Sequence, residues 1–276
     1  MLEPTQPNSS NYPLSIVIAT LGGDTLENTI SLVNKSSVIP KEILICIPEK
    51  EVYNVSNLSF PNIKIVPTNC RGQVPQRVEG FKQAKYNFVL QMDDDVELET
   101  DTIASLIKLL SKLGPSNAIG PSFYDPITMT TLHKFEFGQI GFLKSLNSYV
   151  FSAAPWGRKR MGKITTLGIG FGVDPKLCKK NICKVDWLPG GCVLNYKQDL
   201  IVENYFPLAG KAFSEDIVHS ILRTSNDIKH YVAVDTIAKT GVEENNFNWG
   251  DFKTELKARL YVVKLIRGNN FRLFIW

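Results

Sequence analysis

The chain has 276 residues, 43% of them hydrophobic, enough to bury a substantial core as one large domain or as a domain with a smaller appendage. Thirty-one basic residues against 27 acidic ones leave a net charge of only +4, which argues against a dedicated nucleic-acid binder while leaving room for a local basic surface. Five cysteines, of which only Cys178 and Cys183 lie close together with no histidine near them, argue against a zinc site and for reduced thiols in a cytoplasmic protein.

Residues 1–12 are polar and Pro-rich, without the basic start or apolar stretch of a signal peptide, and read as an extended or disordered N-terminus. Asn-x-Ser sequons at Asn8, Asn34, Asn54 and Asn57 carry little weight without a targeting segment, and no run reaches transmembrane length. "LSIVIA" at 14–19 is a short unbroken β-branched run, the pattern of a buried strand. A helix follows, with Asp24 or Thr25 at its cap and Leu26, Ile30 and Val33 on one face. "EILICIP" and "NIKIVPT" read as strands, Pro75 suits the first turn of a helix that points Val78 and Phe81 inward, and "YNFVLQM" supplies the next strand. This alternation predicts an α/β fold with a mostly parallel central sheet and helices on both faces.

Beyond residue 100 the pattern loosens. A helix over "DTIASLIKLLSKLG", capped by Thr100 or Asp101, buries Ile103, Leu106, Ile107 and Leu110, and "NAIGPSFYD" reads as a strand. Residues 126–176 mix aromatic, glycine and basic residues without periodicity, as a long functional loop does. "VDWLPGGCVLNY" reads as strand, glycine turn and strand, "SEDIVHSILRTSN" as a helix, and "HYVAVDTIA" as the last strand.

Three adjacent carboxylates, Asp93, Asp94 and Asp95, follow the fourth strand, at the carboxyl end where such sheets bind ligands. Helix capping explains them poorly, because Thr100 or Asp101 already serves the next helix. If strand geometry persists, Asp93 and Asp95 point one way and Asp94 the other. Two charges about 6 Å apart repel by roughly 2 to 3 kcal/mol at an effective dielectric of about 20, a penalty that a divalent cation reverses. Hard oxygen donors without nearby His or Cys suit Mg²⁺ or Mn²⁺, which bridge carboxylates to substrate phosphates, so a phosphate-bearing ligand is implied.

"LSIVIATLGG", "RGQVPQRVEGFKQAKYNFVLQMDDDVEL", "VDWLPGGCVLNY" and "AFSEDIVHSILRTSN" occur in the order found in inverting glycosyltransferases of family two, and the chain resembles that family over most of residues 14–240. The resemblance implies a GT-A domain over 13–240, with a nucleotide-sugar-binding half at 13–125, an acceptor-binding half at 126–240 and a helical extension at 241–276. It also implies transfer of a sugar from a nucleoside-diphosphate-sugar donor to a hydroxyl of a glycan or glycolipid. By the same resemblance Thr20 lies near the nucleotide, Arg77 and Gly80 match an Arg-Asn-x-Gly helix motif that here lacks its Asn, and Asp93 and Asp95 match the metal-binding Asp-x-Asp, with Asp93 or Asp94 facing the ribose. Two positions depart from the pattern. Glu49 follows Pro48 where an Asp commonly meets the nucleobase, and Lys239 stands where many members have a His, a point charge suited to a phosphate.

On the acceptor side, inversion needs a carboxylate to take the hydroxyl proton, and the family's Glu-Asp motif falls on Glu215 and Asp216, giving Asp216 the base role. The alternative is structural, with Ser214 capping a helix whose dipole favours both acids. "WLPGG" matches the acceptor-side turn, where Gly190 and Gly191 allow backbone conformations and a close approach, and Trp187 either stacks on a sugar ring or fills the core.

The C-terminal segment sets Phe252, Leu256, Leu260, Val263 and Ile266 at helical spacing among basic residues, and ends in "RLFIW". Such a helix either packs on the domain or makes peripheral contact with an anionic membrane. Competing functions are a sugar nucleotidyltransferase, which typically opens with a Gly-rich loop containing an Arg that "ATLGGDTLENT" lacks, and a non-catalytic carbohydrate-binding or divalent-ion-binding protein on the same fold.

Overall fold

The protein was analysed as a computed structural model that describes residues 11–208, 212–241 and 249–268. Its centre is made by the β-branched runs expected to be strands: β1 (Tyr12–Ala19), β2 (Pro40–Pro48), β3 (Ile63–Thr68) and β4 (Phe88–Met92), which pair in parallel in the order β3-β2-β1-β4. Being covered on both faces, β1, β2 and β4 have continuous buried runs in place of alternation, whereas β3, at the edge, leaves Lys64 and Pro67 exposed. Leu14, Ile16 and Ile18 point to the side packed by α1 (Leu26–Asn34) and α3 (Thr102–Leu113), through Leu26, Ile30 and Val33 and through Ile103, Leu106, Ile107 and Leu110. Val17 points to the other face, where α2 (Gln73–Gln83) brings Phe81. Gly80 sets how close α2 lies: a Cβ there would collide with Val17 and Cys46. Thr25 and Asp101 occupy the expected cap positions of α1 and α3, but neither side chain bonds a helix N–H.

The sheet is mixed where a mostly parallel one was expected. β5 (Glu97–Leu98), β6 (Asn117–Tyr124), β7 (Ile182–Val185), β8 (Cys192–Tyr196) and β9 (Lys229–Lys239) complete a nine-stranded sheet in which β8 lies antiparallel between β4 and β6. β9 runs parallel to β6 and takes β5 and β7 on its other edge, so the strands flanking the "WLPGG" turn never pair with each other. The carboxyl ends of β1, β4, β6 and β9 and the start of β8 meet along one rim.

The segment 126–176 is not a plain loop. It contains α4 (Gly138–Ser152) and 3-10 turns at Gly157–Arg160 and Pro175–Leu177. α5 (Glu215–Ser225) carries the acidic pair, and α6 (Trp249–Leu265) packs against it. The packing face of α6 is Ala258, Val262 and Val263; of the stripe read from the sequence, Phe252, Leu256 and Leu260 stay 46%, 40% and 40% exposed. "RLFIW" and most of residues 1–12 lie outside the described residues. Among the described residues no helix is long and apolar enough to cross a membrane.

Candidate active site

The three aspartates leave the end of β4 in different directions. Asp94 turns toward β1, where Thr20 donates its hydroxyl hydrogen to the Asp94 carboxylate and receives the N–H of Gly22 at 2.9 Å. Asp95 turns toward β9 and accepts from Thr240 Oγ1 at 3.1 Å. Asp93 points to α2, its Oδ1 receiving Gln73 Nε2 at 2.9 Å and Arg77 at 3.0 Å. β4 ends at Met92 and Asp94 and Asp95 lie in a turn, so strand pleating does not place them; even so, Asp93 and Asp95 line one cleft and Asp94 another. Burial raises the Asp94 carboxyl above its ordinary range, and burial together with the neighbouring Asp93 charge raises that of Asp95.

Arg77, read as a residue near the donor nucleotide, is wholly buried beneath these carboxylates. Its two terminal nitrogens reach Asp93 Oδ1 at 3.0 Å and Glu215 Oε1 at 2.9 Å. Burial opposes its charge, but Glu215 and Asp93 outweigh that penalty and hold the guanidinium protonated. The other oxygen of Glu215 accepts from Tyr205 at 3.0 Å, and the Tyr205 ring stacks on His219 at 4.3 Å. Glu215 therefore has both oxygens engaged, and it also borders the cleft on the side expected for the acceptor.

Asp216, one residue on, faces the cleft that holds Asp93 and Asp95. Its only described hydrogen bond is Oδ1 receiving the N–H of Ile217 at 2.8 Å. Burial and the adjacent Glu215 charge push its carboxyl up to about 7. Ser214 does not cap the helix: it sits in the left-handed region at φ 57° and its side chain makes no cap bond. A non-glycine residue held there beside a cleft is the kind of strain that clusters at functional sites.

Gly190 and Gly191 follow Trp187, but neither needs a positive φ; what they provide is room. A Cβ on Gly190 would stand 2.5 Å from Glu215 Oε1, and one on Gly191 3.2 Å from Asp93 Oδ2. Gln91 fixes this turn by donating to Gly190 O at 2.5 Å, and the N–H of Asp93 donates to Gly191 O at 2.9 Å. Trp187 is largely buried, donating to Phe171 O at 3.1 Å and meeting His133 edge-on, with part of its surface on the cleft.

Two adjoining cavities result. One, of about 550 Å³, is lined by Thr20, Gly23, Gly72, Gln76 and Asp94; the other, of about 390 Å³, by Asp93, Asp95, Trp187, Gly190 and Asp216; Gln73 and Ala212 border both. Glu49 and Lys239 are not brought in. Glu49 is exposed just past β2 and lines neither cavity, and it is Glu51 that reaches Arg71 on the rim, at 3.4 Å. Lys239 pairs with Glu99 at 3.5 Å in a separate cavity, leaving Thr240 to touch Asp95.

The carboxylates fit a hard divalent cation. The described bonds to Asp93 fall on Oδ1 and that to Asp95 on Oδ2, so each presents a second oxygen. Among the described residues no group of three His, Cys, Asp or Glu side chains is arranged to hold a metal. At an Mg²⁺ or Mn²⁺ ion held by Asp93 and Asp95, the remaining ligands would therefore have to come from water and substrate phosphates.

Residues 15–161 match the family model described as glycosyl transferase family 2. The structure of GalNAc-T7 with UDP, GalNAc and Mn²⁺ superposes with a TM-score of 0.63 at 16% identity, over 91% of this chain and 48% of that one. S. aureus TarS 1-349 superposes with a TM-score of 0.51 at 14% identity, over 90% and 64%. Both likenesses are of the GT-A fold, and the chain spans less than two thirds of either neighbour. No curated protein sequence matches it.

Proposed function

The chain belongs to glycosyl transferase family 2, and on that premise we propose that it transfers a sugar from a nucleoside-diphosphate-sugar donor to a hydroxyl of a glycan or glycolipid acceptor, with inversion by single displacement. The observation that carries the reading is Asp216: a carboxylate raised to about 7, open to the same cleft as Asp93 and Asp95 and next to the cavity that ends in Thr20 and Asp94. A base acts best when its pKa lies near the working pH.

In this reading the Thr20–Asp94 cavity receives the nucleoside part of the donor. Asp93 and Asp95 would hold Mn²⁺ or Mg²⁺, which would supply positive charge for the donor's diphosphate. Arg77 keeps Asp93 oriented through its 3.0 Å contact with Oδ1. The acceptor hydroxyl lies against the Trp187–Gly190 side, and Asp216 takes its proton as the oxygen attacks the anomeric carbon and the bond to the nucleoside diphosphate breaks. Glu49 and Lys239 have no part in it. Incubating the protein with a panel of sugar nucleotides and Mn²⁺, and following nucleoside-diphosphate release with and without candidate acceptors, tests the reading; donor binding without any turnover would leave a carbohydrate-binding protein on this fold. A sugar nucleotidyltransferase would release no nucleoside diphosphate there, and would form inorganic pyrophosphate only when given a nucleoside triphosphate and a sugar 1-phosphate.

A further inference from the structure

α4 is built with its amphipathic sides reversed, a feature the transfer reaction does not use. Gly141, Ser145 and Ser148, spaced i, i+4 and i+7, form the side turned to the protein. Ile140, Phe142, Leu143, Leu146, Tyr149 and Val150 face outward, each between 40% and 62% exposed. Trp156 stands beside them, edge-on to Phe142 at 5.5 Å and Tyr149 at 6.0 Å. The display is firmly mounted. Buried Arg160 reaches Ser145 Oγ at 3.2 Å, and its guanidinium covers the rings of Phe135 at 5.0 Å and Phe171 at 5.1 Å. A contiguous apolar surface of this kind, held in place and not buried, marks a docking site.

Charge selects the occupant. Residues 126–163 contain six basic residues against Glu136 alone; Arg160 is buried beneath α4 and Lys163 pairs with Asp186 at 3.0 Å, which leaves Lys134, Arg158 and Lys159 as the cations beside the face. Glu136 is already paired with Lys144 at 2.5 Å. Two copies of the face packed together would set these cations against one another with little acid to meet them. An apolar stripe edged by Trp and Tyr and flanked by Lys and Arg complements the boundary between acyl chains and anionic headgroups. We propose that α4 and the turn at 156–160 form a membrane-docking face that lies in the plane of an anionic lipid surface. The helix, of 15 residues, is too short to span a bilayer. This surface is distinct from α6, and the proposal does not depend on the reaction assigned to the cleft.

The test is co-sedimentation of the full chain with phosphatidylcholine vesicles, with and without phosphatidylserine. The expected result is binding that strengthens with phosphatidylserine and weakens with salt. The double variant Phe142→Asp/Leu143→Asp changes only exposed side chains and should lower the bound fraction by roughly tenfold or more, with an unchanged melting curve. Arg158→Gln/Lys159→Gln, which leaves the apolar side intact, should weaken binding to the phosphatidylserine vesicles alone. Absent vesicle binding, or binding indifferent to both double variants, overturns the proposal. So does a concentration-dependent dimer abolished by Phe142→Asp/Leu143→Asp, which would give the face to a second copy of the chain.

Discussion

Asp216→Asn separates the chemistry of the cleft from its architecture. The substitution keeps the size of the side chain and an Oδ1 to accept the Ile217 N–H, so the start of α5 is preserved. It removes the carboxylate on that helix that no cation or hydroxyl holds: Glu215 also borders the cleft, but both of its oxygens are engaged, by Arg77 and Tyr205. Loss of a general base typically lowers the rate by about 10² to 10⁴, or roughly 3 to 5 kcal/mol of barrier. The stability change has the opposite sign. A carboxyl whose pKa rises from 3.8 to about 7 on folding is bound to its proton more tightly in the folded state. It therefore favours folding below pH 4, and that advantage is lost as pH climbs through 7; at pH 8 the ionised group costs the fold at most about 4 kcal/mol. Asp216→Asn should thus melt higher than wild type at pH 8, bind sugar nucleotide and Mn²⁺ normally, and transfer almost nothing. Wild-type kcat/KM should rise with pH along a limb centred near 7. Donor affinity, melting temperature and transfer rate are measured on one preparation. Near-normal turnover would remove the base from α5 altogether, because Glu215 cannot replace it; lost donor affinity would make Asp216 a structural residue.

Asp95→Ala should weaken Mn²⁺-dependent nucleoside-diphosphate binding at least about tenfold, so that calorimetry with and without EDTA gives the same affinity. Arg77→Met should destabilise the protein by about 3 to 5 kcal/mol in denaturant unfolding, because it leaves Glu215 and Asp93 without their buried counter-charge. Gly190→Ala should push the Glu215 carboxylate away from Arg77, costing about 1 to 3 kcal/mol and lowering transfer, read by the same unfolding and turnover assays. Buried His219 and His230 are held neutral, the first well below its ordinary range and the second at about 3. Acid should therefore destabilise the fold from pH 6.5 downward by about 1.4 kcal/mol per pH unit for each histidine, and His230→Phe should flatten that limb in melts run between pH 4 and 7.

The parallel strands and α1–α3 were legible because their side chains are sorted by one rule, apolar residues against the sheet. α4 was not, since its inward residues are Gly141, Ser145 and Ser148 and its apolar ones face out, so no core-facing period exists to detect. The site was legible where it follows strand ends, at Thr20 and Asp93–Asp95, because strand ends can be read locally. Arg77 could be found by motif but not its burial: a charged helical residue is ordinarily solvated, and its partner Glu215 lies 138 positions away. Gln73, Tyr205 and Thr240 carried no signal of their own, being single polar residues whose roles arise only from what folding sets beside them. Lys239 illustrates the converse, a residue in the right place along the chain whose side chain leaves the strand toward Glu99.

The position of β8 has a bearing on how the molecule is made. Because this strand from residues 192–196 lies between β4 and β6, the sheet β3-β2-β1-β4 is joined to β6 only once β8 is made, and β5 only once β9 is. During synthesis β4 leaves the ribosome with one edge unpaired and keeps it until about a hundred more residues have followed. β6 waits for both of its neighbours, which arrive from opposite sides of α5. Such non-local closure is slow, and an open apolar edge is the form in which chains aggregate. A fragment ending at residue 125 or 161 should be insoluble even though it contains every residue of the aspartate cluster, and expression trials should keep the chain whole through β9.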